Sequence, residues 1–410
     1  MTTPTISRTH ARWALLALAI GSFGIGMTEF VVMGLLPDIA AELLPRVWAD
    51  DPEAAIAQAG WLITLYAAGV VVGAPTIAGT VAKYPRHRVM LFLALALTLF
   101  NGLTLVLPSF ELVAASRFLA GLPHGAYFGI GALVAADVLG PGKRAQGVAF
   151  VLTGLTIANV FGVPLGTFLG QQFGWRAAFL VVAVIFAAAT VAIGLTVPHH
   201  AGEPSRTLRA ELRVFRIGQV WFALGIGAIG FGGFFAVYSY IATLVTDAAG
   251  SPAWAVPIVL VVSGLGMTAG NLVGGRVADR DLRRSLLGGL VALAAVQTLL
   301  ALTAGWIVTV VAFVFLVGFF SAALSPTIQT RLMDVAGDNQ SIAAALNHSA
   351  LNMGNALGAA LGGAVIAAGL GFVAPVWVGV VLALAGLLVA SASFAVEDRA
   401  RRGLTVRSAA

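Results

Sequence analysis

The chain has no cysteine. Disulfide staples, thiolate nucleophiles and cysteine-ligated metals are therefore excluded. Charge is almost as scarce. Asp, Glu, Lys and Arg together make up 10% of its 410 residues, where a soluble domain carries about a quarter. With 59% hydrophobic residues and a mean hydropathy of +0.97, too little polar surface remains to cover a water-soluble globule. No Walker-type phosphate loop is present, which argues against drive by ATP. No His, Asp and Glu group has metal-ligand spacing, and no Ser-His-Asp arrangement can be drawn. The chain is accordingly not read as an enzyme, and no metal or cofactor is expected. The sequence pI is near 10.3, but the basic residues are dealt out among short loops rather than gathered on one domain, so no nucleic-acid partner is expected.

What is there is apolar sequence in long runs. A membrane-spanning helix needs about 20 such residues, and twelve stretches qualify: 12–36, 57–78, 88–107, 111–136, 146–170, 177–197, 218–245, 254–275, 285–304, 306–330, 342–367 and 373–395. A transmembrane β-barrel would show alternating segments of about ten residues instead. The first run follows a Thr/Ser-rich start with Arg8 and Arg12, and no small-residue cleavage site follows it, so it reads as a retained span. With the N-terminus placed in the cytoplasm, every basic residue but Arg46, Arg117 and Arg176 falls at the cytoplasmic side. Both termini are then cytoplasmic, in a multi-pass protein of the plasma (inner) membrane. The connection 198–217 holds Pro198, Pro204 and alternating charges. It is read as an amphipathic cytoplasmic linker between a bundle at 1–197 and a bundle at 218–410.

The two halves repeat. "GTVAKYPRHR" (79–88) aligns with "GRVADRDLRR" (275–284), and "GLTIANVFGVPLG" (154–166) with "ALNMGNALGAALG" (350–362), both 196 residues on. "FLAG" (118–121) aligns with "FLVG" (315–318), and Asp137 with Asp334, at 197. A duplicated six-span unit with a site between the copies is a transporter architecture.

Several stretches carry a family resemblance: "GMTEFVVMGLLPDIA", "LYAAGVVVGAP", "RFLAGLPHGAYFGIGALV", "TIANVFGVPLGTFL" and "GWRAAF". Together they resemble the major facilitator superfamily over nearly the whole chain, and within it the twelve-span drug:proton antiporters, closest to the arabinose-efflux-permease-like branch. The resemblance implies an all-α fold of twelve transmembrane helices in two pseudo-symmetric six-helix bundles, working as a monomer. The family's loop motif falls at Gly79, Lys83, Arg86 and Arg88 in the first half, and at Gly275, Asp279, Arg280, Arg283 and Arg284 in the second. The first copy departs from the pattern, with Lys83 at the Asp position and Pro85 at a Gly position. The expectation is that the second half carries the motif's charge relay alone. Its arginines 276, 280, 283 and 284, with Asp279, would form a latch between spans.

Glu29 is the sole acidic residue between Ala11 and Leu36. A charge at mid-membrane costs about 2.5–3.5 kcal/mol on insertion scales, most of which a carboxyl avoids by taking up a proton. Ser22, Gly26, Glu29 and Met33 share one helical face, a packed or cavity-facing side. The resemblance implies proton coupling or cation binding for Glu29, and coupling for Arg117. His124 lies seven residues after Arg117, about 10 Å along the same helix face, and histidine changes charge near neutral pH. Its alternative reading is a hydrogen-bonded packing residue, and a structural carboxyl is the alternative for Glu29. Gly154, Gly162 and Gly166, with Pro164, form a small-residue stripe for close packing. Asn159, Asn355, Tyr66 and Tyr238 are the candidate substrate-binding groups.

The expected function is proton-coupled antiport, exporting a small organic molecule (a drug, sugar or related metabolite) by alternating access. The partners are that substrate, protons and the lipid bilayer. An uncoupled or importing sugar facilitator, or a non-transporting receptor on the same fold, are the alternatives.

Overall fold

The computed structural model describes residues 8–81, 84–140, 144–199, 212–337 and 340–408. Twelve helices in it are long and apolar enough to cross a membrane: α1 (Thr9–Gly34), α2 (Pro52–Ile77), α3 (Arg86–Val106), α4 (Phe110–Leu139), α5 (Ala149–Phe173), α6 (Trp175–Thr196), α7 (Gly218–Tyr238), α8 (Ala255–Arg280), α9 (Leu282–Thr303), α10 (Ile307–Ala336), α11 (Leu346–Ala367) and α12 (Ala374–Ala400). They match the twelve apolar runs, and no strand occurs among the described residues. Most of the expected linker, residues 200–211, lies outside the described residues, as does Lys83; a short 3-10 turn covers Leu212–Arg216.

The end of the bundle where α1 begins is called the basic end here, and the opposite one the far end. At the far end α1 stops at Gly34, and Pro37 does not end it in coil. It sits in the first turn of a new helix, Leu36–Leu43, where its missing N–H goes unmissed. A helix at Pro45–Asp50 and the start of α2 follow in the same way, the latter capped by Asp51, whose carboxylate accepts from Ala54 N at 3.0 Å. An ion pair from Arg176 on α6 to Glu42 ties this cap down.

Close approach between helices follows the small residues. A Cβ on Gly69 or Gly121 would lie 2.2 Å from a carbonyl, Phe118 O on α4 and Tyr66 O on α2 respectively. The repeat reproduces this: a Cβ on Gly266 would lie 2.2 Å from Phe315 O, and one on Gly318 2.8 Å from Ser263 O. The α2–α4 and α8–α10 crossings are thus the same joint built twice. The stripe on α5 runs along α1, with Gly154 against Ala19, Gly162 against Phe23 and Met27, and Gly166 against Val31. Ala158–Gly162 forms a π-turn just before Pro164, a widened turn of the kind that bends a helix.

Helix α7 is broken more thoroughly. It has a π-turn at Ile226–Gly230, leaves the helix at Tyr240 and resumes through a second π-turn at Leu244–Ala248. The break delivers the Tyr240 ring between the halves. Its hydroxyl donates to Ala359 O at 2.7 Å, in space that Cβ atoms on Gly60, Gly362 or Gly363 would fill.

The largest apolar core joins the halves at the far end, where Phe30–Ala40, Ala55–Ile63 and Trp175 meet Phe234–Val245 and Val256–Leu260. Toward the basic end each half has a core of its own, around Leu18, Leu93 and Tyr127 in the first and around Val220, Leu332 and Leu346 in the second.

Candidate functional site

Glu29 lies on the face of α1 turned toward the second half. It is 7% exposed, and its carboxylate accepts a hydrogen bond from Asn355 Nδ2 on α11 at 3.1 Å. This one contact joins two residues 326 positions apart and bridges the halves. The Asn355 Oδ1 is buried with no partner among the described residues. The amide can therefore donate to a carboxylate and, turned over, accept from a carboxylic acid. Ser22, on the same face, is fully buried with an unpartnered hydroxyl.

Arg117 is 1% exposed on α4 and does not pair with Glu29. It takes the neighbouring residue instead: Nη1 donates to Thr28 Oγ1 and Nη2 to Thr28 O, both at 2.7 Å. The Thr28 hydroxyl in turn donates a hydrogen bond to Asn101 Oδ1, and Asn101 Nδ2 donates to Leu97 O at 2.8 Å. Below the guanidinium lies the Tyr66 ring, 4.2 Å from Cζ, with Phe179 at 5.4 Å. The cation is thus held by neutral acceptors and aromatic faces, one residue from the carboxylate. Threonine 28 and Asn101 were not legible as partners, because nothing in the sequence says which turn of α1 faces α3 and α4.

Tyr66 is 1% exposed, and its hydroxyl bonds His124 Nδ1 at 3.1 Å. It belongs to the Arg117–His124 cluster and does not line an open cavity. Tyr238 is also buried, edge-on to Phe30 at 5.6 Å, with an unpartnered hydroxyl. Asn159 sits in the π-turn of α5, its backbone carbonyl against Gly264 of α8, and its Oδ1 unpartnered. Of the four expected substrate groups, the structure brings Asn355 to Glu29 and Tyr66 to Arg117. Two cavities, of about 260 and 590 Å³, open on the flanks between α2 and α11 and between α11 and α12. Glu29, Arg117, Tyr66, Asn159, Tyr238 and Asn355 line neither of them.

The loop motifs come out differently from expectation. The first half keeps a charge pair: Arg86 binds Asp137, joining the start of α3 to the end of α4. In the second half Asp279 and Arg280 are exposed and join no ion pair among the described residues. The helix-to-helix pair there is Arg283 with Asp398 of α12, at 2.9 Å. Arg284 pairs locally with Asp281 at 3.2 Å, Arg276 bonds Leu272 O at 2.8 Å, and Arg88 is exposed. Gly275 faces open space, and Gly79 lies in the last turns of the second span's helix. The sequence places Arg331 in a cytoplasmic loop, but it is inside α10 and 5% exposed. There it bonds Gln219 Oε1 and Ser393 Oγ at 3.1 Å and Glu397 at 2.8 Å, with Phe394 against its guanidinium.

Comparison with known proteins agrees with this architecture. The family model described as Major Facilitator Superfamily matches residues 18–281 and 255–409. The chain is 38% identical to the inner membrane transport protein YdhP of Escherichia coli (strain K12), over 92% of this chain and 95% of the relative. It is 34% identical to the putative transporter AraJ of the same organism, over 87% and 89%. It is 31% identical to a chloramphenicol resistance protein of Streptomyces lividans, over 92% and 95%. Among solved structures, the human organic anion transporter MFSD10 superposes with a TM-score of 0.68 at 16% identity, covering 95% of this chain and all 100% of its own. A bacterial homologue of the lysosomal transporter Spinster, in an inward-facing and unoccupied conformation, gives 0.67 at 16% identity, over 94% and 98%. With twelve membrane-length helices, a doubled six-helix plan and relatives of this identity over nearly its full length, the chain belongs to the Major Facilitator Superfamily.

Proposed function

We propose that the protein is a proton-coupled antiporter of the inner membrane that exports a small organic molecule by alternating access. The observation that carries the reading is the bond between Glu29 and Asn355. It places an ionisable group, and no other first-half carboxylate, on the contact that must break when the halves move apart. With Glu29 charged, the Asn355 amide donates to it; with Glu29 protonated, the amide turns over to accept a neutral hydrogen bond weaker than the charge-assisted one, and the halves are freer to exchange partners. Arg117, held by Thr28 beside it, keeps a positive charge within reach of the carboxylate and favours release of the proton once the site is wet. Export is the direction suggested by the resistance protein among the relatives. The bodies that rock are residues 1–197 and 218–410, joined by 198–217, in a monomer with both termini and the basic end in the cytoplasm. The apolar core continuous at the far end supports reading this state as closed outward.

Efflux from proteoliposomes tests the reading, with chloramphenicol, L-arabinose and tetraphenylphosphonium as probes. An imposed pH gradient should accelerate efflux of at least one probe, and Glu29→Gln should remove the acceleration while leaving counterflow. Equal efflux with and without the gradient sinks the coupling and favours a facilitator. No movement of any substrate across a wider screen of nucleosides and amino acids favours a receptor.

A further inference from the structure

Four of the chain's six histidines lie within membrane-length helices, and of these His124 and His348 meet across the seam between the halves. The phenyl ring of Phe128 on α4 lies between them. The His124 ring is 5.4 Å from it, edge-on, and the His348 ring of α11 is 5.3 Å from it with only 3° between the planes. His124 is bound to Tyr66, but His348 is half-buried and its imidazole nitrogens bond no described residue.

The placement is ordered. Arg117 and His124 are seven residues apart on α4, and His348 and Asn355 are seven apart on α11. Seven residues are two turns, so each pair shares a face and is separated by about 10 Å. The helices run in opposite directions, so the two pairs form the uprights of a ladder. Its upper rung is Glu29 with Asn355, beside Arg117. Its lower rung, nearer the basic end, is Phe128 with His348. An ionisable group inside a membrane span is costly unless it serves a purpose, and packing against Phe128 would be met as well by leucine or phenylalanine.

We propose that His348 is a second proton-binding residue of the transport cycle, the station next to Glu29 on the proton's way to the basic end. The inference rests on the proposed proton coupling. The step is a proton transfer only: the Glu29 carboxyl gives up its proton, and an imidazole nitrogen of His348 takes one up, through water once the seam opens. Charges carried by the neighbouring helices are expected to make the two sites alternate. Arg117 on α4 opposes a proton there, and the Glu29 carboxylate on α1 favours one. From α4, His124 is a second basic group that opposes double occupancy. Tyr66 on α2 and Tyr238 and Tyr240 on α7 are neutral phenols. Arg331 on α10 and Glu397 of α12 neutralise each other, as do Arg283 and Asp398. His348 thus holds a proton best when Glu29 has lost its own, which is the order a relay requires. An imidazolium stacked on Phe128 also binds its ring face more strongly than the neutral base does, so the proton draws the halves together at the lower rung.

The test needs no substrate. Full-length protein in nanodiscs, carrying isotope-labelled histidine, is titrated by NMR. The His348 resonance is assigned by its loss in His348→Gln or, should that variant not fold, in His348→Phe, which keeps the ring stack. The expected result is a resonance that titrates between pH 5 and 8 and whose midpoint moves to lower pH by about half a unit or more in Glu29→Gln, the size expected from one charge at this separation. A His348 that stays neutral over the range, or a midpoint indifferent to Glu29→Gln, overturns the proposal. Failure of the coupling itself is seen separately, as proteoliposome efflux that ignores the pH gradient.

Discussion

The two halves of the molecule share a scaffold and differ in what they bury in it. Gly69, Gly73 and Gly121 touch the backbone of a neighbouring helix, and Gly266, Gly270 and Gly318 do the same 197 positions later. At that same offset Glu29 becomes Ile226, Tyr66 becomes Ser263, Arg117 becomes Val314 and His124 becomes Ser321. The close crossings are therefore specified by the absence of side chains, and the ionisable cluster is an addition to one copy. The second half places its buried charge elsewhere, at Arg331, whose counterpart is Val134. The first half thus brings its buried charges to the seam, where the second contributes His348 and Asn355, while the second half's own buried charge sits in a neutralised knot that binds α7, α10 and α12 into one body.

The strongest way to break this contrast is at Arg117. Arg117→Leu should reduce gradient-driven transport at least about 100-fold, equivalent to 2.7 kcal/mol, while Val314→Leu at the matching site stays within about twofold. Proteoliposome rates at matched protein content decide it. Next in size is the knot. Arg331→Met should lower the stability of the purified protein by about 1–3 kcal/mol through the stranded Gln219, Ser393 and Glu397 groups, whereas Arg331→Lys, which keeps a charge for Glu397, should cost less. Thermal unfolding in detergent compares them. The shared scaffold makes the opposite kind of prediction: Gly69→Ala and Gly266→Ala each force a methyl onto a carbonyl and should each cost about 1–3 kcal/mol, alike to within the error of the same assay. A large difference would mean that the joints are not equivalent. The smallest effect is at the loop pairs. Arg86 keeps a side-chain exposure of 13% and Arg283 one of 50%. Arg86→Ala should thus cost about 1.5 kcal/mol, and Arg283→Ala no more than about 0.5.

The spans were legible in the sequence because lipid imposes one rule on every residue of a long run. Glu29, Arg117 and His124 stood out by the same logic, as charge where charge is costly. Their partners did not, since which turn of α1 meets α4 or α11 depends on helix crossings set by glycines scattered over many other spans. Thr28 and Asn101 look like ordinary polar residues until packing assigns them neighbours. Arg331 was misplaced for a related reason. It opens a stretch of mixed polarity, and hydropathy alone ends the span at 330, just before it, whereas the helix continues to Ala336. The far-end helices after Gly34 are too short to show as apolar runs, and Pro37, Pro45 and Pro52 each sit in the first turn of one.

The Tyr240 ring has a consequence for leakage. Gly60, Gly362 and Gly363 offer no side chains around it, so nothing else fills the space when the ring withdraws from the Ala359 carbonyl. A path through this place therefore opens only when the phenol leaves, against one hydroxyl bond and the contacts of one aromatic side chain.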